Sequence, residues 1–183
     1  AGCYISMTVR PPRKSLFKTK ELWDNFLFAS EEKISERGLK ESSARLFEPG
    51  TIFMAIYGSP TVGRLGILTR PSSCNQAALG IVADTDHVSQ IFLYFLLMTF
   101  RSHFNSIAQG AAQQNISKEK VAGTVALVPP KSLVSNFDAL AVPVFDQIRN
   151  LQEQVANLRR TRDILLPRLL SGQVPVAEAA TAA

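Results

Sequence analysis

The sequence is poor in the residues from which most metal and catalytic centres are made. Of 183 residues, two are cysteine, two histidine and one tryptophan. Cys3 and Cys74 are too few for a disulfide framework, so a reducing, cytoplasmic setting is the expectation. His87 and His103 stand sixteen residues apart, and neither has metal-ligand spacing to a cysteine or to the other. Both read as surface or helix-end histidines. Long hydrophobic runs are also missing: the most apolar stretch, residues 91–100, is about half of what a bilayer-crossing helix needs. No basic start leads into an apolar stretch, so no secretory leader is expected. Ala1 in place of Met is what a fragment of a longer protein would show.

The catalytic motifs are incomplete. Gly58 and Gly63 have the glycine spacing of a Walker A loop, but Arg64-Leu65 follows where Lys and then Ser or Thr are needed, so the Mg²⁺-ligating hydroxyl is missing. There is no GxSxG elbow, no Asn-Pro-Pro-aromatic motif of an adenine methyltransferase, and no glycine-rich cofactor loop after a strand. Glu31-Glu32-Lys33 contains a nuclease-like Glu-x-Lys without the preceding Pro-Asp and reads as a charged surface turn. Asp84 and Asp86 could pair, although helix capping explains Asp86 more simply. No catalytic residue, metal or cofactor is expected.

Hydrophobic residues make up 46% and charged residues 19%, enough apolar material for a buried core and too little charge for global disorder. The net charge is +5. Residues 1–20 hold five basic groups (Arg10, Arg13, Lys14, Lys18, Lys20) and no acid, while the rest of the chain balances 15 basic against 15 acidic groups. The excess therefore sits at the N-terminal end, either as a solvated basic loop or as a contact to phosphates.

Along the chain, residues 4–9 (YISMTV) are β-prone and stop at Pro11-Pro12. Residues 14–48 are mixed and polar, and are expected to form a long excursion with short helical pieces. Strands are expected at 51–57 (TIFMAIY), at 65–69 closed by Pro71-Ser72-Ser73, at 75–83 and at 125–128, with a tight glycine loop over 58–63. A largely buried helix capped by Asp86 is expected over 88–108, and a short one opened by Asn115 or Ser117.

After Pro130 the pattern changes. Apolar or small residues recur at Phe137, Ala141, Val144, Ile148, Leu151, Val155, Leu158, Leu165 and Leu169, in alternating steps of four and three that lapse once, at Arg162. This is a heptad seam. Pro143 is expected to kink or restart the helix, and Pro167 and Gly172 to end it. So narrow a stripe needs a second helix, and no other helix of that length is expected in this chain. The partner helix would come from another copy or from a missing part of the parent chain; the alternative is packing onto the chain's own domain.

The polar loops carry residues that can read base edges: Asn75, Gln76, Gln109, Gln113, Gln114 and Asn115 each donate and accept. Arg64, Arg70 and Lys118 lie near them in sequence. Turn and cap hydrogen bonding is the other use of such amides.

Four stretches then carry a resemblance: 32–46 (EKISERGLKESSARL); 49–58 (PGTIFMAIYG) with 61–67 (TVGRLGI) and 75–77 (NQA); 110–117 (GAAQQNIS) followed by Pro129-Pro130; and Leu158 with 162–172 (RDILLPRLLSG). In this order and spacing they make the chain resemble half of a specificity subunit from a type I restriction–modification system, its C-terminal half. The resemblance implies an α+β fold: a globular target recognition domain with a twisted β-sheet and helices (1–130), a long coiled-coil-type spacer helix (131–172) and a disordered tail (173–183). It implies a non-catalytic subunit that reads one half of a split double-stranded DNA site. Its helix would pack against a second spacer helix and dock the modification subunits, which restriction subunits join. The other half of such a subunit is absent, and the stretch 10–24 has no clear counterpart.

On this reading Arg10, Arg13, Lys14, Lys18 and Lys20 contact phosphates. Tyr57, Gly58, Thr61, Arg64, Asn75, Gln76, Gln109, Gln113, Gln114 and Lys118 face the groove. Tyr57 equally suits core packing, and the two glycines a simple tight turn. Val144, Ile148, Leu151, Val155, Leu158, Leu165 and Leu169 form the helix–helix interface, with Arg162 setting register through salt bridges. A coiled-coil scaffold that binds no DNA is the alternative reading, and a methyltransferase fragment a third, which the missing cofactor motifs disfavour.

Overall fold

The structure, a computed structural model, describes residues 13–58, 61–108 and 115–174. The expected strand over 4–9, Arg10, Gln109, Gln113, Gln114 and most of the tail lie outside them. The chain divides into two compact units, Ala1–Leu140 and Ala141–Ala183.

The first unit is α+β. Its strands are β1 (Lys14–Phe17), β2 (Asn25–Leu27), β3 (Glu32–Ile34), β4 (Ile52–Ala55), β5 (Leu65–Leu68), β6 (Ser72–Cys74) and β7 (Ala78–Ile81). They form a three-stranded sheet of order β3-β1-β6 and a four-stranded sheet of order β2-β5-β4-β7. Both sheets are mixed: β1 runs antiparallel to β3 and parallel to β6, while β5 runs antiparallel to β4 and parallel to β2. Continuous apolar runs make β4 and β5 the central, fully buried strands. One apolar cluster joins the sheets: Phe17, Leu22, Leu27, Phe53, Ala55 and Leu68, with Phe47, Cys74 and Ala78 packed against it. Phe53 receives Phe17 and Phe47 edge-on, at ring-centroid distances of 6.3 and 5.3 Å.

Several expectations are corrected here. The stretch 14–48 holds the short helical pieces expected, a 3-10 turn (Thr19–Glu21) and α1 (Glu36–Glu41), but it is not an excursion: it also supplies β1, β2 and β3. Each of these strands is only three or four residues long, too short to show an alternation, and each exists because a neighbour completes its hydrogen bonds. Ser72 and Ser73 do not close a strand but form one, and the expected strand at 75–83 narrows to β7. Residues 125–128 are not a strand. Val125 and Leu127 are 88% and 92% exposed, and no strand of the described residues offers them a ladder.

The helix expected over 88–108 is two, α2 (Gln90–Thr99) and α3 (Arg101–Ile107), meeting at Phe100. Its cap is Ser89, whose hydroxyl oxygen accepts from the Phe92 N–H at 3.0 Å, and not Asp86. The same hydroxyl donates to Asp138 at 2.6 Å. Ser117 caps α4 (Lys118–Ala122). Phe137, placed by sequence at the head of the seam, instead packs edge-on against Phe92 and Phe95, each at 5.6 Å.

The last helix, α5 (Lys131–Leu170), is continuous for 40 residues and contains Pro143 and Pro167, so Pro167 does not end it. At 1.5 Å per residue it is about 60 Å long. Gly172, at φ 71°, stops it. The N–H of Gln173 reaches back to Arg168 O at 2.9 Å and that of Gly172 to Leu169 O at 3.1 Å, a complete Schellman motif. No helix among the described residues is long and apolar enough to cross a membrane.

Candidate nucleic-acid interface

The geometry of the first unit turns on Ile56, just beyond the end of β4. Its N–H donates to Ala77 O and its carbonyl accepts from the Ile116 N–H, both at 2.9 Å. Tyr57 and Asn115 form an isolated antiparallel bridge. The Asn75 N–H donates to Phe17 O at 3.1 Å. Three loops far apart in sequence are thereby gathered at one end of the sheets, together with the end of β1. Tyr57 (37% exposed), Gln76 and Asn115 face solvent there. Asn75 is half-buried, and its Oδ1 is fully enclosed with no hydrogen-bond partner among the described residues.

The glycine loop is the β4–β5 hairpin. Gly58 stands at φ 90° and Gly63 at φ 79°, where only glycine is free of strain. The Thr61 hydroxyl lies 2.8 Å from the carbonyl oxygens of both Tyr57 and Gly58 and donates into the turn, a structural use of that residue. Gly63 also gives room: a Cβ there would come within 3.1 Å of Arg101.

Three residues that the sequence reading passed over hold this hairpin. Asp24, at φ 57°, exchanges backbone and side-chain bonds with Leu65: Asp24 N–H to Leu65 O at 2.8 Å, and Leu65 N–H to Asp24 Oδ1 at 3.0 Å. Arg101 forms an ion pair with Asp24 and donates from Nε to Gly63 O at 3.0 Å. Trp23 is 62% exposed, and the Arg64 guanidinium lies over its ring, 4.0 Å from the centroid. Asp and Asn tolerate left-handed backbone, and a lone tryptophan in a polar segment is unusual, so Trp23-Asp24-Asn25 carried a legible signal. Nothing local marks Arg101.

The basic residues divide. Arg13 is exposed and Lys14 half-buried, at the start of β1. Lys18 pairs with Glu32, and Lys20 with Glu31. The hydrogen bond between Lys20 and Glu31, reinforced by their opposite charges, holds the ammonium pKa above its ordinary value and the carboxyl below its own. Glu21 ties this corner together, accepting from the Lys18 N–H at 2.8 Å and the Glu31 N–H at 3.0 Å. Two of the expected phosphate contacts thus already hold carboxylates. Lys118 opens α4 and is among the residues lining an apolar cavity of about 370 Å³ between β7, α2 and α4. Among the described residues no three His, Cys, Asp or Glu side chains are grouped to hold a metal.

In the second unit the seam stands open. Val144, Ile148, Leu151, Val155, Leu158 and Leu165 are each exposed, from 38% to 69%; Leu169 is half-buried. Arg162 is exposed and pairs with its neighbour Asp163 at 2.7 Å.

The chain is 26% identical over 165 residues to the type I restriction enzyme MjaIX specificity subunit of Methanocaldococcus jannaschii, covering 88% of this chain and 38% of that protein. It is 31% identical over 119 residues to the HindI specificity subunit of Haemophilus influenzae, covering 62% of this chain and 25% of the relative. Its relatives are specificity subunits of type I restriction enzymes. The fold agrees: a type I specificity subunit from M. genitalium superposes with a TM-score of 0.58 at 18% identity, over 86% of this chain and 38% of that one. The chain spans about two fifths or less of these specificity subunits. No protein-family model matches it.

Proposed function

We propose that this chain is one target-recognition module of a type I specificity subunit: residues 1–130 read one half of a split duplex DNA site, and the helix from 131 to 172 is a spacer. The observation that carries this reading is the convergence at Ile56, where loops bearing Tyr57, Gln76 and Asn115 meet at one end of the sheets. Amide side chains presented together suit bidentate contacts to adenine, each worth about 1–3 kcal/mol of discrimination. Arg13 and Lys14 supply sequence-independent phosphate contacts, and Lys18 and Lys20 do so by exchanging their carboxylate partners for phosphate. Gln109, Gln113 and Gln114, which precede Asn115 in the sequence, are further amides of the kind that read bases.

The open seam of the spacer takes a second spacer helix, from another copy or another half. The surfaces beside it dock modification subunits, to which restriction subunits are added. This chain contributes recognition, and the methylation chemistry is theirs.

The test is selection of a random duplex pool on the full chain, followed by salt titration of the recovered sequence. A recovered half-site, bound more tightly than a scrambled duplex with a steep negative salt slope, is expected. Equal binding to both, or none at any salt, would leave the helix as the working part and favour a scaffold.

A further inference from the structure

Trp23 is the one tryptophan in the chain, and it is held out into solvent. A large aromatic side chain left that exposed loses the burial that normally accompanies it. Its backbone is nevertheless fixed. The Trp23 N–H donates to Asn25 Oδ1 at 2.8 Å, and Asp24 is locked to Leu65 and Arg101. One face of the indole carries the Arg64 guanidinium. Arg64 has no carboxylate partner among the described residues, because Asp24, the acid next to Trp23, is taken by Arg101. The pair is therefore a flat apolar surface with an unneutralised cation on it.

Its position matters as much as its chemistry. Trp23 precedes β2 and Arg64 precedes β5, while Tyr57 follows β4. In the register of the sheet, Ala55 of β4 lies beside Arg64, whose carbonyl accepts from its N–H at 2.9 Å. The Trp23–Arg64 pair thus stands at the same end of the four-stranded sheet as Tyr57, Gln76 and Asn115.

We propose that Trp23 and Arg64 form a contact to the sugar–phosphate backbone of duplex DNA, the indole packing on deoxyribose and the guanidinium pairing with the adjoining phosphate. This rests on the DNA-reading function above and extends that interface to a residue outside the loops that read bases. Charge decides for this partner over an apolar protein surface, which would have to desolvate Arg64 without a counter-charge. A backbone contact carries no base preference, so it operates on any duplex.

The single tryptophan makes the test direct. The full chain is titrated with a labelled random-sequence duplex at low salt, following label anisotropy and Trp23 emission together. Emission that changes with the same midpoint as the anisotropy, and loses access to acrylamide, is expected. Trp23→Ala should weaken binding to cognate and scrambled duplexes alike by about tenfold. Arg64→Gln should reduce the salt slope by about one. Duplex binding with unchanged Trp23 emission and unchanged Trp23→Ala affinity would overturn the inference and leave DNA reading intact. So would emission that responds only to rising protein concentration, which would make the pair a protein contact. Failure of every duplex to bind at any salt would overturn the DNA-reading function itself.

Discussion

Asp24 and Arg101, 77 residues apart, clamp the β4–β5 hairpin between them: the arginine holds the Asp24 carboxylate with one nitrogen and the Gly63 carbonyl with another. Asp24 meanwhile takes both backbone groups of its pairing with Leu65. Removing Arg101 leaves a half-buried carboxylate without its counter-charge and the Gly63 carbonyl without its side-chain donor. Arg101→Ala should cost about 1–3 kcal/mol in urea unfolding. Asp24→Asn should cost less than Asp24→Ala, because asparagine keeps an acceptor for the Leu65 N–H and tolerates the left-handed backbone. Equal losses for the two Asp24 variants would show that the acceptor does not matter.

Gly80 in β7 packs under Phe47. A Cβ at this position would lie 2.4 Å from the Phe47 ring, which itself packs on Phe53. Gly80→Ala should therefore destabilise by about 1–3 kcal/mol through overpacking. Gly50, with φ 87° and open space around it, should cost only the backbone strain, roughly 1 kcal/mol. Denaturant midpoints of the two variants check the order.

Cys74 gives a pH signature. Burial pushes its thiol up from 9.0 to about 11. The native state thus favours the neutral thiol, and this contribution to stability is complete below pH 9 and is lost as pH rises through about 11. In a Cys3→Ser background, iodoacetamide should react with Cys74 at pH 8 far more slowly in the native protein than in urea. Equal rates would mean that the thiol is not protected.

The seam predicts association. Full burial of one leucine, isoleucine or valine side chain contributes about 1.5–3 kcal/mol, and six such side chains stand exposed on one stripe. Light scattering after size exclusion should show the chain self-associating, and Leu151→Asp or Leu158→Asp should return it to monomer. Arg162→Leu tests register: an unchanged oligomeric state and partner choice would remove the role of that residue.

Much of the fold was legible because its signals are local. TIFMAIY and LGIL are apolar throughout, as strands covered on both faces must be. The heptad spacing of α5 and the Gly172 stop need nothing beyond the chain around them. The short strands β1, β2, β3 and β6 were not legible, because three or four residues carry no periodicity and their hydrogen bonds come from elsewhere. The candidate interface divides in the same way. Tyr57, Gly58, Asn75 and Gln76 were marked by residue type, whereas Trp23, Asp24 and Arg101 acquire their roles only through contact.

The sequence by itself determined the two central strands, the long seam-bearing helix and the resemblance to specificity subunits, through which it implied the α+β class. These depend on composition and spacing along the chain. Tertiary structure alone decided which loops meet at Ile56, that Lys18 and Lys20 are held by Glu32 and Glu31, and that Arg64 lies on Trp23. Those are relations between residues brought together by strand order, and strand order is settled by which edges find hydrogen-bond partners and which apolar faces share a core.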